Sequence, residues 1–181
     1  SLSVVAASGS RFVGWSGACS GSGSCAIDVT ADVGVTATFT RIWSIGASRS
    51  GTGSGTVTSG DGKIDCGANC YAVYDDLASV DLIAAPSTGS TFTGWGGACT
   101  GAVATCSVTA DASKTAVAQF TINSYDLAVA KAGAGTGTVT SSPAGVSCGT
   151  SCTGQTAPFT HGTVVVLTAT APAGSAFTGW S

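Results

Sequence analysis

An internal repeat constrains this chain more than any other feature of its sequence. The phrase Phe-Val-Gly-Trp at residues 12–15 returns as Phe-Thr-Gly-Trp at residues 92–95 and 177–180. A second phrase, Gly-Thr-Val-Thr-Ser, stands at residues 55–59 and recurs 82 positions later. Self-similarity at a fixed period is the signature of architectures in which each unit packs against its neighbours. We therefore divide the chain into the C-terminal half of a repeat (1–40), a complete repeat (41–121) and a truncated, N-terminal part of a repeat (122–181).

No linker separates these repeats. Phe39-Thr40 runs directly into Arg41, and Phe120-Thr121 runs directly into Ile122. A flexible spacer would be rich in Gly and Ser or in Pro, and none stands at either junction. The sequence predicts a stiff rod, or one continuous sheet that passes between repeats. Because both ends of the sequence fall inside a repeat, we also expect the polypeptide to be longer.

Composition and patterning favour strands over helices. All nine acidic residues are Asp, Met is absent and Lys is rare, so the helix formers Glu, Met and Lys contribute little. Large apolar and small residues alternate at Trp43–Ala47 and Tyr125–Val129, a period typical of half-buried strands. We predict an all-β chain of tandem small domains with about six short strands each and little or no helix. One short helical turn fits Tyr71–Val80, and a sandwich, a grasp-like sheet and an open meander all fit the strands.

The cysteines indicate disulfides. The eight cysteines form four close pairs, none with the two-residue spacing of a zinc site. The spacing favours disulfide bonds formed in an oxidising, extracellular compartment. Such local bonds would stabilise a repeat whose hydrophobic core is small. Pairing within each close pair leaves no cysteine alone in the partial repeats, but crossed pairing inside the complete repeat stays open. The predicted disulfide residues are Cys19, Cys25, Cys66, Cys70, Cys99, Cys106, Cys148 and Cys152.

The repeated apolar residues are predicted to form the core of each unit. A tryptophan ring packed over its neighbouring glycine explains the Gly-Trp phrase better than a carbohydrate-stacking face, because aromatic side chains supply the largest burial in a small core. Trp43 and Tyr125 occupy equivalent positions at the two junctions, where we expect packing between units. The predicted core residues are Phe12, Trp15, Phe39, Val57, Leu82, Phe92, Trp95, Phe120, Val139, Leu167, Phe177 and Trp180.

Six motifs in fixed order carry a family resemblance. They are Gly-Thr-Val-Thr-Ser, Cys-Gly-x-x-Cys, Val-x-Leu-x-Ala-x-Pro, Phe-Thr-Gly-Trp-x-Gly-Ala-Cys, Cys-x-Val-Thr and Val-x-Ala-x-Phe. In this order they resemble the divergent internalin B-type repeat of bacterial surface and secreted proteins. The resemblance implies a tandem-repeat extracellular bacterial protein that acts as a spacer, stalk or adhesive module. The chain departs from the pattern at Asp61–Asp65, where the next repeat has Ser-Pro-Ala-Gly-Val.

Candidate catalytic and metal-binding residues are few. His161 is the only histidine and follows no triad-like or ligand-like spacing, so we interpret it as a surface turn residue. Asp75-Asp76 and the Asp61/Asp65 pair have no acidic counterparts in the next repeat. The segment Asp61–Asp65 faintly resembles a calcium loop, but it lacks most of the required oxygen ligands and the terminal Glu. We predict no enzyme activity, no catalytic residues, no metal and no cofactor.

Charge and hydropathy limit the partners. The net charge is −3 and the six basic residues are scattered, which argues against a nucleic-acid partner. No apolar run is long enough for membrane insertion. We predict a structural repeat that forms a rigid stalk or a fibre, cell-surface or secreted, with its own neighbouring repeats or subunits as partner. The alternative is an adhesin or carbohydrate-binding accessory module with a cell-surface or polysaccharide ligand.

Overall fold

The structure, a computed structural model that describes all 181 residues, consists of β-strands and connecting turns. No helix long and apolar enough to cross a membrane is present. The strands are β1 (Ser10–Gly17), β2 (Val35–Ser50), β3 (Gly55–Ser59), β4 (Asp65–Cys66), β5 (Tyr71–Asp75), β6 (Ser79–Pro86), β7 (Ser90–Gly97), β8 (Thr105–Thr109), β9 (Lys114–Ile122), β10 (Ser124–Ala130), β11 (Thr138–Ser142), β12 (Ser147–Cys148), β13 (Gly154–Thr160) and β14 (Val166–Thr170). The chain forms two compact units, one of residues 1–87 and 92–121 and the other of residues 88–91 and 122–181. The predicted all-β fold with several small sheets and four disulfides is confirmed.

Two sheets enclose the core of the first unit. One follows the order β1-β2-β9-β7, with β5 also paired to β2, and the other follows β4-β3-β6-β8. Within the complete repeat, the first strand (β2) and the last strand (β9) are neighbours and run parallel. That pairing is a grasp-like feature inside a two-sheet arrangement. It is non-local, so the alternation of side chains along either strand could not predict it.

Side-chain alternation explains which faces of these sheets are buried. Along β6, Val80, Leu82 and Ala84 point inward while their immediate neighbours are exposed. Successive strand residues point to opposite faces, so a period of two buries one face of the strand. The Phe120 ring covers Gly55, where an added Cβ would lie 2.4 Å from the ring. Glycine at that position therefore lets the ring reach the centre of the core.

The strand β2 continues unbroken through the first predicted repeat boundary. Its 16 residues pair with β1 over Val35–Arg41 and with β5 and β9 from Ile42 onward. The predicted boundary at 40/41 thus falls inside a single strand. Of the two options predicted for this junction, the one continuous sheet is the one observed within this unit.

The half repeat at residues 1–40 lacks the second sheet of the complete repeat. Residues 24–28 correspond to β8 but form no strand, because the only pairing there is an isolated bridge between Leu2 and Cys25. Phe39 corresponds to Phe120 and is 45% exposed, whereas Phe120 is 1% exposed. The predicted core position of Phe39 is wrong, because no second layer covers its ring.

The second unit has a smaller core between a two-stranded sheet, β10-β13, and a three-stranded sheet, β12-β11-β14. Phe177 and Trp180 lie outside this core and are 49% and 54% exposed. Their core assignment is also wrong, because residues 175–181 form no strand that would hold the rings against a sheet. The buried residues are Val129, Val139, Val146, Cys148 and Ala157, with Leu167 among those packed against them.

The segment Tyr71–Val80 contains no helical turn, contrary to the prediction. Tyr71–Asp75 forms β5 and pairs antiparallel with β2. Exposed Tyr71 and Val73 alternate with inward-facing Ala72 and Tyr74, which is a strand pattern. The two-residue strand β4 was also not predicted, and it forms because Val57 of β3 pairs with Cys66 beside the disulfide.

Candidate functional site

The ladder between β2 and β9 links the beginning of the complete repeat to its end. Its register joins Ile45–Ser50 to Lys114–Gln119, one residue to one residue, in parallel. Ile45, Ala47, Ala116 and Ala118 from this ladder are buried. The small alanine side chains let the two sheets approach closely, so the ladder lies at the centre of the core.

A glycine turn closes the C-terminal end of this ladder. Gly51 has φ +96°, and an added Cβ would lie 2.0 Å from the Phe120 carbonyl oxygen. The amide of Gly53 donates a hydrogen bond of 3.0 Å to the same oxygen. A side chain at position 51 would displace backbone, so glycine is required both by the φ value and by this contact.

The Gly-Trp phrase anchors the second cysteine loop. The Trp95 amide donates to the Gly101 carbonyl at 2.8 Å, and its indole Nε1 donates to the Val103 carbonyl at 2.9 Å. Gly94, at φ +151°, would place a Cβ 3.1 Å from the Gly101 oxygen. Trp95 is 7% exposed, so it offers no free face for a sugar. The glycine is needed for a close approach of the loop backbone.

The same arrangement recurs in the half repeat. The Trp15 amide donates to the Gly21 carbonyl at 2.7 Å, and its indole donates to the Gly23 carbonyl at 2.9 Å. The ring of Trp15 contacts Phe12, which in turn contacts Phe39, with centroids 5.2 Å and 5.6 Å apart. The complete repeat has the same aromatic triad in Phe92, Trp95 and Phe120.

The disulfides join the cysteines within each close pair, and crossed pairing does not occur. Cys19 bonds to Cys25, Cys66 to Cys70, Cys99 to Cys106 and Cys148 to Cys152. Each bond closes a loop of only 4–7 residues in sequence separation. Short loops remove little entropy from the unfolded chain, so each bond contributes toward the low end of roughly 2–4 kcal/mol.

The acidic residues considered for a calcium site, Asp61 and Asp65, are held by hydrogen bonds within their loop and from β5. Asp61 Oδ1 accepts hydrogen bonds from the Ser59 hydroxyl at 2.6 Å, the Tyr74 hydroxyl at 3.0 Å and the Lys63 amide at 3.2 Å. The Lys63 ammonium lies 3.3 Å from Oδ2. Desolvation raises the pKa of Asp61, but the hydrogen bonds from Ser59, Lys63 and Tyr74 outweigh it and lower the pKa to about 2. Asp65 contributes backbone contacts to Asn69.

The remaining acidic pair is also engaged structurally. Asp75 forms an ion pair with Arg11, and Asp76 accepts the indole hydrogen of Trp43 at 2.7 Å. Trp43, predicted to pack between units, is half-buried against the core of the first unit. Its equivalent Tyr125 is 57% exposed, so the two junction aromatics lie in different surroundings.

His161 lies exposed in the turn between β13 and β14. Its ring contacts Tyr125 edge-on, with centroids 6.0 Å apart. The imidazole also covers Gly89, where an added Cβ would lie 1.8 Å from His161 Cδ2. No group of three or more His, Cys, Asp or Glu side chains lies close enough together to hold a metal ion.

Lys131 holds a loop that the sequence pattern did not single out. Its ammonium donates to the carbonyl oxygens of Gly137 at 2.8 Å, Gly149 at 2.6 Å and Thr150 at 3.2 Å. Arg49 stands at the equivalent position of the complete repeat and donates to the Gly55 carbonyl at 2.8 Å. A basic residue at the same place in both repeats was the available signal.

Comparison with known proteins places the chain in one family. No curated protein and no solved structure matches it. The model of the divergent InlB B-repeat domain matches residues 1–43 and again residues 47–124. The first match covers the half repeat, and the second covers the complete repeat. This chain belongs to the divergent InlB B-repeat family, whose repeats are suggestive of a bacterial surface protein.

Proposed function

We propose that this chain is a load-bearing structural repeat of an extracellular bacterial protein, acting in a stalk or a fibre. The observation that carries the proposal is the parallel ladder between the first and the last strand of the complete repeat. The local disulfides and the family are consistent with an extracellular, non-catalytic role.

The direction of the ladder determines how the repeat would resist tension. The chain enters beside the Ile45–Lys114 pair and leaves beyond the Ser50–Gln119 pair, at the opposite end. Pulling the two ends of the repeat apart therefore slides β2 along β9. All pairs of the ladder are loaded together and must break together, whereas a force at one end would separate them one at a time.

The continuity of β2 extends this argument to the neighbouring half repeat. The residues that pair with β1 and those that pair with β9 belong to one 16-residue strand. Tension along β2 passes from one ladder into the next without a flexible spacer that would absorb it. A stalk requires this kind of direct transmission.

The proposal is tested by single-molecule force spectroscopy on non-reduced protein. One variant carries attachment points at Thr40 and Asn123, which load the ladder in shear. Its matched control carries them at Thr52 and Asn123, which lie at the same end of the ladder and separate it pair by pair. We expect a clearly higher unfolding force in the first geometry. Equal forces in the two geometries would refute the load-bearing role.

Ligand binding is a second candidate, favoured by an exposed aromatic patch. Tyr71 and Val73 on β5 are 66% and 52% exposed, beside the Arg11–Asp75 ion pair. The residue that occupies the place of Tyr71 in the second unit is Thr156, so the patch is not repeated. An adhesin role predicts that soluble polysaccharides change the Tyr71 environment and that Tyr71→Ser abolishes this change. No response to a polysaccharide panel would count against it.

A further inference from the structure

We propose that two copies of this chain associate side by side through the open edge of β5, in an antiparallel pairing centred on Val73. The partner is a second copy of the same strand, and the contact closes after two chains because each copy uses the same edge. This inference goes beyond the load-bearing role and does not rest on it. The ladder that carries load joins β9 to one edge of β2, whereas β5 pairs with the other edge.

The edge of β5 that faces away from β2 is unpaired, since β5 pairs with β2 alone. The Asp76 amide, directly after β5, donates a hydrogen bond of 2.9 Å to the Arg41 carbonyl of β2. Backbone groups alternate in direction along an antiparallel strand, so those of Tyr71, Val73 and Asp75 point to the free edge. Such a row of donors and acceptors is a template for another strand.

The open edge belongs to the repeat itself. β13 is the equivalent of β5 in the second unit, and it pairs with β10 alone although a complete repeat precedes it in the chain. The residues that follow β5, up to residue 181, include no strand that pairs with its free edge. Neither a preceding complete repeat nor the following residues therefore occupy this edge.

A proline blocks the equivalent edge of the second unit. Pro158 of β13 occupies the position of Val73, since the two residues have equivalent partners in β10 and β2. The alternation set by the bond from the His161 amide to the Asn123 carbonyl turns the Pro158 nitrogen to the free edge, where it has no hydrogen to donate. Proline is a recurring protection of edge strands. β5 lacks it, and its Tyr71 and Val73 side chains are exposed.

One register pairs every backbone group that points outward from β5. Hydrogen-bonded residues of an antiparallel ladder exchange two bonds, so both must point to the shared edge. With Val73 opposite Val73 of the second copy, Tyr71 of each copy stands opposite Asp75 of the other. Three such pairs then form within β5, whereas a centre at Ala72 or Tyr74 allows only two. No two aspartates stand opposite each other in this register, which avoids like-charge repulsion.

A groove beside Val73 receives the tyrosine of the second copy. Its volume is about 320 Å³, and its lining includes Arg11, Ile42, Val73 and Asp75. Because Asp75 stands opposite Tyr71 of the second copy, that ring would enter the groove and cover Val73. It would also meet the Arg11 guanidinium, and a cation beside an aromatic ring gains a favourable attraction. Main-chain bonds thus supply affinity, and the fit of this side chain supplies specificity.

Sedimentation equilibrium of the non-reduced chain over a concentration series tests the proposal. We expect the mass to rise from 17.3 kDa and to level off at twice that value. Val73→Pro should weaken association by about tenfold or more, because it removes the central amide donor. The fold should tolerate this change, since β13 forms with Pro158 at the same position, and an unchanged urea midpoint would show it. Val73→Thr is the matched control, which keeps the amide and should associate like the wild type.

An engineered disulfide tests the register. Residues opposite each other in a hydrogen-bonded pair have Cα atoms about 5.5 Å apart, within the range that a disulfide spans. Val73→Cys should therefore give a covalent two-chain species on oxidation. Asp75→Cys is the matched control and should not, because its counterpart in the second copy is Tyr71.

A monomer at every concentration would overturn the inference, as would equal association of the Val73→Pro and Val73→Thr variants or equal disulfide yields from the two cysteine variants. A monomeric chain that binds a synthetic peptide of residues 71–77 would also overturn it, since the edge would then accept an extended segment other than a second copy. The force difference between the two attachment geometries should be the same in Val73→Pro, so the load-bearing role is tested separately.

Discussion

The strongest prediction concerns two phenylalanines that occupy the same position in successive repeats. Phe120 is 1% exposed at the centre of the complete repeat, and Phe39 is 45% exposed in the half repeat. We expect Phe120→Ala to lower the free energy of unfolding by about 4 kcal/mol, since it removes a buried ring and leaves a cavity. Phe39→Ala should cost about 1 kcal/mol, because roughly half the ring is already in water and no enclosed cavity forms.

Urea unfolding of the two variants, followed by tryptophan fluorescence under non-reducing conditions, measures this difference. Both residues lie in the first unit, so the wild-type chain serves as one reference for both variants. The two variants could instead lose free energies of unfolding that differ by less than 1 kcal/mol, which is the scale of ordinary surface effects. That result would refute the reasoning that Phe120 is buried because its repeat is complete.

Three further predictions concern the loops. Trp95→Phe should lower the free energy of unfolding by about 1–2 kcal/mol in urea, because the Val103 carbonyl loses its indole donor. Gly94→Ala should cost about 2 kcal/mol in the same assay, because φ of +151° is strained for alanine and the methyl would crowd the Gly101 oxygen. The pKa of Asp61 is lower in the folded chain, so its contribution is present above pH 3.8 and is lost as pH falls to about 2. We expect the free energy of unfolding to fall by about 1 kcal/mol over this range, because solvent screens a carboxylate that is 39% exposed. Urea midpoints measured across the same pH range should lack this part of the pH dependence in the Asp61→Asn variant.

Local features of the fold were predictable from the sequence, and non-local ones were not. The close cysteine pairs, the strand character and the buried positions Val57, Leu82 and Trp95 all follow from spacing and alternation within a few residues. The parallel pairing of β2 with β9 joins residues about seventy positions apart, and no local pattern encodes such a register. The exposure of Phe39 escaped prediction for the same reason, since burial of the equivalent Phe120 depends on a second sheet whose strands lie far from it in sequence.

The side-chain contacts of the candidate sites also depend on residues that lie apart in sequence, so the sequence alone did not predict them. The missing ligands argued against calcium at Asp61, but only the structure shows that Ser59, Lys63 and Tyr74 engage its carboxylate. Tyr74 reaches Asp61 from a strand that the sequence did not predict. Lys131 was overlooked because two of its three carbonyl acceptors, Gly149 and Thr150, belong to a turn that lies 18 and 19 positions away in sequence.

The repeated Gly-Trp element and its cysteine loop separate what local sequence can build from what requires a complete repeat. Trp15 makes the same backbone and indole hydrogen bonds as Trp95, although the half repeat has no second sheet. The loop therefore forms from local sequence and its own disulfide, whereas the larger core around Ile45 and Phe120 is found in the complete repeat, where the first and last strands pair. Under tension, the ladder between those strands would fail first, and the disulfide-closed loops would remain intact. A repeat built in this way can lose its core and keep the local elements from which the core re-forms.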